Sequence, residues 1–277
     1  MKAKKAVILQ PGKMGDMIIC SPIANYYSKK GYSVEWFVYP EFKSFFERID
    51  YVTPITSNVL KDNSHEYFKS VKKRSTPFFS LKHKYFLETA RKYCSFKGKE
   101  KKLLDICWGF SGSNPDYSKK IKEYTESNRT WIQLRYDLAQ VPIEERWNFQ
   151  WTRDEAKEKE LLEMIRQKSL SQYGSESFSI VHNYDNFKES EIQKLNNVKN
   201  RINFEPISNF QIYDWIGVLE SAENIVCVDS SLCNFVEVVP SLRDVKKYYL
   251  GTEENHYYNF MDNILKNNWN MLPENAK

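Results

Sequence analysis

No apolar run in this chain reaches the roughly 18 residues that a helix needs to cross a bilayer. The first residues, MKAKKAVILQPG, are charged like the start of a signal peptide, but the apolar run Ala6–Leu9 spans only four positions. That is too short for the hydrophobic region of a secretory signal, so a cytoplasmic protein is expected. The five cysteines (Cys20, Cys94, Cys107, Cys227 and Cys233) are odd in number, scattered, and never spaced as CxxC. Neither a disulfide framework nor a zinc site is expected, and no metal is assigned. Cys20, Cys107 and Cys227 lie in apolar runs and read as small core residues. Glycine is scarce, at nine in 277 residues. The G-x-G-x-x-G fingerprint of nicotinamide dinucleotide binding is missing, and the second predicted strand ends Val38-Tyr39-Pro40, without the acid that would meet a ribose.

What is present is the composition of a globular protein: 41 % apolar, 28 % charged, and an aromatic share of 15 % that implies aromatic-rich cores or a ligand groove. The net charge of +5 is mild. The length suits two domains of ordinary size.

The first third alternates strand and helix. Ala6–Leu9 is a strand, a helix runs to Lys30 with Gly31 as its stop, Ser33–Tyr39 is a strand, Glu41–Ile49 a short helix, and Tyr51–Ile55 a third strand. Leu103–Trp108 reads as a buried strand, residues 109–115 as a loop, and Trp131–Ala139 as a helix. Pro142 marks a boundary. Thr152, with Glu155 three residues on, predicts the N-terminal cap of an amphipathic helix. The second half repeats the alternation: strands at Ser177–His182, Ile202–Phe204, Asn224–Val228 and Lys246–Leu250, and helices at Ser190–Leu195, Gln211–Ser221 and Leu232–Val239. Residues 254–272 read as a last helical segment. Such alternation means parallel βαβ units. The expected class is α/β, with Rossmann-like domains at 1–145 and 146–252 and a helical segment at 253–277 that packs back on the first domain. Ligands of such paired domains are expected in the cleft between them.

Two segments carry candidate chemistry. In Gln10-Pro11-Gly12-Lys13-Met14-Gly15-Asp16, a loop with two glycines follows the first strand, and its carboxylate falls where parallel sheets present residues to ligands. In Val228-Asp229-Ser230-Ser231, a buried strand runs into a helix start whose N–H groups and hydroxyls suit a phosphate. A capping role for Asp229 or Ser230 is the structural alternative.

Together these segments resemble the GT-B glycosyltransferases, and most closely the heptosyltransferase-like group, glycosyltransferase family 9. That family's first loop reads roughly G-x-x-G-D followed by an apolar stretch and Ser/Thr-Pro. Here it is Gly12 to Asp16, then Met17 to Cys20, then Ser21-Pro22. The family's second motif is Asp-Ser/Thr-Gly-x-x-His; here it is Asp229 to Asn234, with Ser231 in place of the Gly and Asn234 in place of the His. The stretch Trp215–Ala222 resembles the helix that precedes it.

The resemblance implies two Rossmann-like domains with parallel sheets facing across a cleft, and inverting, metal-independent transfer of a sugar from a nucleotide-diphosphate sugar to a glycan or glycolipid hydroxyl. Asp16 would be the general base, with Gly12, Lys13, Met14 and Gly15 as the acceptor-side loop. Asp229, Ser230, Ser231 and Asn234 would hold the donor, with Tyr184 and Lys188 from the second domain, Lys188 as the basic side chain at the diphosphate. No cofactor is implied beyond the donor. By analogy the product belongs to cell-surface polysaccharide or lipopolysaccharide.

Residues 58–102 carry 13 Lys/Arg against four Asp/Glu. They read either as solvated helices or as the face that takes an anionic acceptor, with Lys72, Lys73 and Arg74 as contacts and peripheral association at the inner membrane as the corollary. Phe78, Phe79 and Tyr85 are stacking candidates. Nucleic acid is disfavoured, because no RRM, helix-turn-helix or zinc pattern accompanies the charge. The alternatives are an inactive GT-B-like binding module and a sugar-nucleotide epimerase of the same fold.

Overall fold

The computed structural model describes residues 4–10, 13–56, 101–106, 123, 126–127, 129–182, 192, 197–250 and 265–272. The chain divides into two compact units, Met1–Trp151 and Thr152–Lys277.

In the first unit, β1 (Lys4–Leu9), β2 (Tyr32–Val38), β3 (Val52–Thr56) and β4 (Lys101–Asp105) form a parallel sheet in the order β3-β2-β1-β4. The apolar run Ala6–Leu9 is fully buried, as a strand covered on both faces requires. After β1 the chain enters α1 (Met14–Lys29) and turns at Gly31, whose φ of 81° suits a residue with no Cβ. Where a short helix is expected at Glu41–Ile49, Pro40–Arg48 forms 3₁₀ turns opened by Pro40. The helix α2 occupies Trp131–Ala139 as expected, with Thr130 and Gln133 forming a capping box. Two tyrosines join α2 to α1: Tyr136 Oη donates to the Ile19 carbonyl at 2.9 Å, and Tyr27 Oη donates to the Ala139 carbonyl at 2.7 Å.

The second unit opens with α3 (Glu155–Tyr173), ended by Gly174 in the left-handed region. Its cap is Asp154, which accepts from the Lys157 N–H at 3.1 Å, rather than the expected Thr152. The helix begins at Glu155, and only the residue just before it can reach the third N–H of the first turn. The strands β5 (Ser179–His182), β6 (Arg201–Asn203), β7 (Asn224–Val228), β8 (Lys246–Leu250) and β9 (Trp269–Leu272) form a parallel sheet in the order β6-β5-β7-β8-β9. The expected helix at 211–221 is present as a 3₁₀ turn, Ile212–Trp215, running into α4 (Ile216–Ser221). Gly217 lets α4 approach α3 closely, since a Cβ there would sit 3.4 Å from Glu158. The helix α5 is Ser231–Val238. Val181, Val226, Val228, Tyr248 and Leu250 join Ile192 and Val198 in one apolar cluster.

Residues 269–272 correct the sequence reading. They form β9, parallel to β8, instead of a helix. Edge pairing overrides local propensity there. Glu237 of α5, itself buried, anchors the approach to that strand: its carboxylate accepts from the Lys266 N–H and from the Trp269 indole, both at 2.8 Å. The predicted helix at 190–195 and the basic stretch 58–100 lie outside the described residues, apart from Ile192. Among the described residues, no helix is long and apolar enough to cross a membrane.

Candidate functional site

Strand order places both sequence motifs. In the first sheet the chain runs outward from β1 to β2 and β3, then returns to β4 on the other side of β1. In the second it runs from β5 to β6, then returns to β7 on the other side of β5. At such a reversal the two connections leave in opposite directions and open a crevice beyond the carboxyl ends of the strands. The start of α1, which holds Asp16 in its first turn rather than in the preceding loop as expected, follows β1 at one reversal. The Asp229-Ser230 segment follows β7 at the other.

Asp16 lies in the first turn of α1 and is half-buried. Each of its carboxylate oxygens has a partner. Arg135 Nη2 of α2 stands 3.0 Å from Oδ1, and the Gln10 amide donates to Oδ2 at 3.2 Å. Arg135 and Gln10 are both fully buried, whereas the Asp16 side chain keeps 18 % of its surface. Arg135 also donates to Cys20 Sγ at 3.4 Å. Burial pushes the Cys20 thiol up to about 11, against the opposing pull of Arg135. Gln10 is held in turn by its backbone carbonyl, which accepts from the buried Trp36 indole at 2.7 Å.

The loop just before Asp16 contains a strained residue. Lys13, exposed and preceding α1, has φ 68° and ψ 118°, a conformation that costs a non-glycine residue about 1–3 kcal/mol. Met14 and Gly15 are half-buried in the first turn of α1, and Gly12 lies outside the described residues.

At the second reversal Ser230 is the N-terminal cap of α5. Its Oγ accepts from the Cys233 N–H at 3.2 Å and lies 2.9 Å from His182 Nδ1. Asn234 is buried and donates to the Ser230 carbonyl at 2.9 Å. Both polar side chains therefore serve the helix start. Asp229 is exposed and Ser231 half-exposed. The N–H groups of Ser231 and Leu232 belong to the first turn, where a helix has no internal acceptors for them.

His182 ends β5 and was not singled out in the sequence. Desolvation pushes its imidazole down to about 4, so it is neutral near pH 7. Its ring packs edge-on against Phe204, with centroids 5.0 Å apart, and Phe204 leans on Trp215 at 4.6 Å. The carboxyl ends of β5, β6 and β7 thus present His182, Phe204 and the start of α5 side by side.

Of the remaining candidates, Tyr184, Lys188, Lys72, Lys73 and Arg74 lie outside the described residues, as do Phe78, Phe79 and Tyr85. Among the described residues, no group of three His, Cys, Asp or Glu side chains is placed to hold a metal ion.

No protein family model matches the sequence, and no curated protein matches it. Among solved structures the chain is similar to a glycosyl transferase family 9 protein from Veillonella parvula, with 10 % identity and a TM-score of 0.46 over 91 % of this chain and 81 % of that one. It is also similar to the ADP-heptose lipopolysaccharide heptosyltransferase II of E. coli, with 12 % identity and a TM-score of 0.48 over 97 % of this chain and 90 % of the other. A third similar structure is an E. coli heptosyltransferase with ADP-2-deoxy-2-fluoro heptose, with 13 % identity and a TM-score of 0.38 over 89 % of this chain and 88 % of that one. At these identities the likeness is one of chain path.

Proposed function

We propose that this chain is an inverting glycosyltransferase that moves a sugar from a nucleoside diphosphate to an acceptor hydroxyl. The observation that carries the reading is Asp16: a half-exposed carboxylate beyond the first parallel strand, with an ion pair to Arg135 on one oxygen and a hydrogen bond from Gln10 on the other. A carboxylate has about four lone-pair sites, so acceptor positions remain for a substrate hydroxyl.

In the proposed reaction Asp16 takes the proton of the acceptor hydroxyl as its oxygen attacks the anomeric carbon. The bond between that carbon and the diphosphate oxygen breaks, and the electron pair leaves with the nucleoside diphosphate. The growing negative charge falls at the start of α5. There the N–H groups of Ser231 and Leu232, together with the Ser231 hydroxyl, are the groups suited to receive it. Ser230 then acts from behind, by holding the helix start, and Asn234 with it. Lys188 and Tyr184 remain proposed donor contacts, and Lys72, Lys73 and Arg74 proposed contacts for an anionic glycan acceptor. No metal or cofactor is assigned to the reaction. We place the product in cell-surface polysaccharide or lipopolysaccharide and the protein in the cytoplasm, at the inner face of the membrane.

The test joins binding and turnover. A thermal-shift screen against nucleoside diphosphates and nucleotide sugars should raise the melting temperature with one of them. Asp16→Asn should then abolish release of the nucleoside diphosphate while keeping that shift. Asn is the informative replacement, because it keeps the side-chain shape and an acceptor oxygen beside the buried Arg135 guanidinium, both of which Asp16→Ala removes. Normal turnover by Asp16→Asn would remove Asp16 from the chemistry. A binding module without activity is the second reading, favoured by the engagement of Ser230 and Asn234 within the helix start; a shift with nucleotides but no turnover with any nucleotide sugar would select it.

A further inference from the structure

We propose that Arg135 is the positioning residue for Asp16, fixing with Gln10 the plane in which the carboxylate meets the acceptor; this rests on the reading of Asp16 as the base.

A buried guanidinium is expensive to desolvate, by several kcal/mol even after relaxation. A fold that buries one completely offsets that cost with a counter-charge. Arg135 is fully buried, and its two arms meet Asp16 Oδ1 and Cys20 Sγ, one turn apart on α1. Gln10 meets the other oxygen, Oδ2. A carboxylate held at one oxygen can still swing about its Cβ–Cγ bond. Held at both, it keeps one orientation, and its remaining lone pairs keep one direction.

The holders are themselves fixed. The Gln10 backbone is tied to Trp36, and the helix of Arg135 is tied to α1 by the two tyrosine bonds, Tyr136 to Ile19 and Tyr27 to Ala139. The guanidinium has no surface through which to reach a substrate, so any effect it has on one passes through the groups it touches, Asp16 among them. Displacing a reacting group by about 1 Å can cost about 10²-fold in rate. A positioning residue is therefore expected to act on kcat rather than on KM.

The experiment has two arms. In the first, the folded protein is treated with a water-soluble carbodiimide and glycine amide, and labelling of each carboxylate is followed by mass spectrometry. Arg135→Gln should speed labelling of Asp16 about tenfold, leave the exposed Asp137 unchanged, and lose most of that effect in Arg135→Lys. In the second, the nucleotide sugar that gives the largest thermal shift is used for turnover. Arg135→Gln should lower kcat about 10²-fold with KM within threefold, and Arg135→Lys should recover part of it.

An unchanged Asp16 labelling rate in folded Arg135→Gln, or an unchanged kcat in that variant, overturns the proposal. If no Arg135 variant folds, Gln10→Met decides by the same readouts, and Asp16 labelling within twofold of the parent overturns two-point holding. If Asp16→Asn turns over normally, or no nucleotide sugar shifts the melt, the base reading falls by itself. The labelling arm still decides whether Arg135 holds the carboxylate.

Discussion

His182 Nδ1 lies 2.9 Å from Ser230 Oγ, which joins the carboxyl end of β5 to the segment that follows its neighbour β7. The contact ties a strand end to a helix cap at the point where the second sheet reverses its order. Beside Phe204 and the helix cap the ring is largely removed from water, and this desolvation pushes its imidazole down to about 4.

Stability should therefore fall on acidification. An unfolded histidine titrates near 6.5. Between that value and about 4 the unfolded chain binds a proton that the folded chain refuses, so stability declines as pH drops through this window and levels off below it. The expected loss is on the order of 2 kcal/mol, discounted for residual solvent access. Urea melts at several pH values should show this slope, and His182→Gln should flatten it. The same slope in parent and variant would move its origin elsewhere.

The two adjacent serines should separate by kind of effect. Ser230→Ala removes the cap of α5 and the hydroxyl facing His182, and should cost about 1–2 kcal/mol in chemical denaturation. Ser231→Ala should change stability by less than about 0.5 kcal/mol but weaken nucleoside diphosphate binding several-fold in calorimetry. Equal effects of both on stability would contradict this division.

Lys13 should be improvable. With φ at 68° and ψ at 118° it occupies backbone space that favours glycine. Lys13→Gly relieves that strain and gives back part of the gain as unfolded-state entropy. A net stabilisation of up to about 1 kcal/mol is expected from the denaturation midpoint. A loss of stability would show that the lysine side chain compensates for its own backbone.

Arg153 should matter more than an ordinary surface cation. Its Nε lies 3.0 Å from Glu158 Oε1 and its Nη1 3.0 Å from Glu220 Oε1, joining α3 to the end of α4. The Glu158 side chain is only 5 % exposed, so Arg153→Ala leaves a nearly buried carboxylate without that cation and should cost about 2–4 kcal/mol. Lys168→Ala, which breaks the exposed pair with Glu205, should stay within about 0.5 kcal/mol. Comparable losses for both would mean that burial is not what sets the difference.

How far the sequence could be read depended on the range of the interaction. Asn224–Val228 and Lys246–Leu250 fall where expected because short apolar runs between turn residues define buried parallel strands locally. The Trp131–Ala139 helix is equally local, with its capping box at Thr130 and Gln133. The position of Asp16 near the carboxyl end of β1 was legible because strand, turn and helix are consecutive. Arg135 was not, because its partner Cys20 is 115 residues away and only the docking of α2 on α1 brings it in. His182 stood in the sequence as one histidine among four. The signal that could have found it is its place at the end of a buried strand, and that gains meaning only when β7 is known to be the neighbour. Ser230 was rightly seen at a helix start, but whether its hydroxyl turns inward or outward depends on His182. The strand β9 has no alternation of its own over four residues; its partner β8 defines it.

The strand β9 is synthesised after the partner that defines it. A ribosome releases the chain from its N-terminus, so β5, β6, β7 and β8 emerge before the residues that cover the outer side of β8. Until Trp269 has left the exit tunnel, Glu237 is a carboxylate facing the core without the Lys266 amide and the indole that later meet it. Until then β8 is an open edge of the nascent sheet, and Glu237 beside it lacks two of its hydrogen bonds. Pairing of β9 with β8 and the two hydrogen bonds to Glu237 form together, which makes residues 265–272 the segment that covers β8.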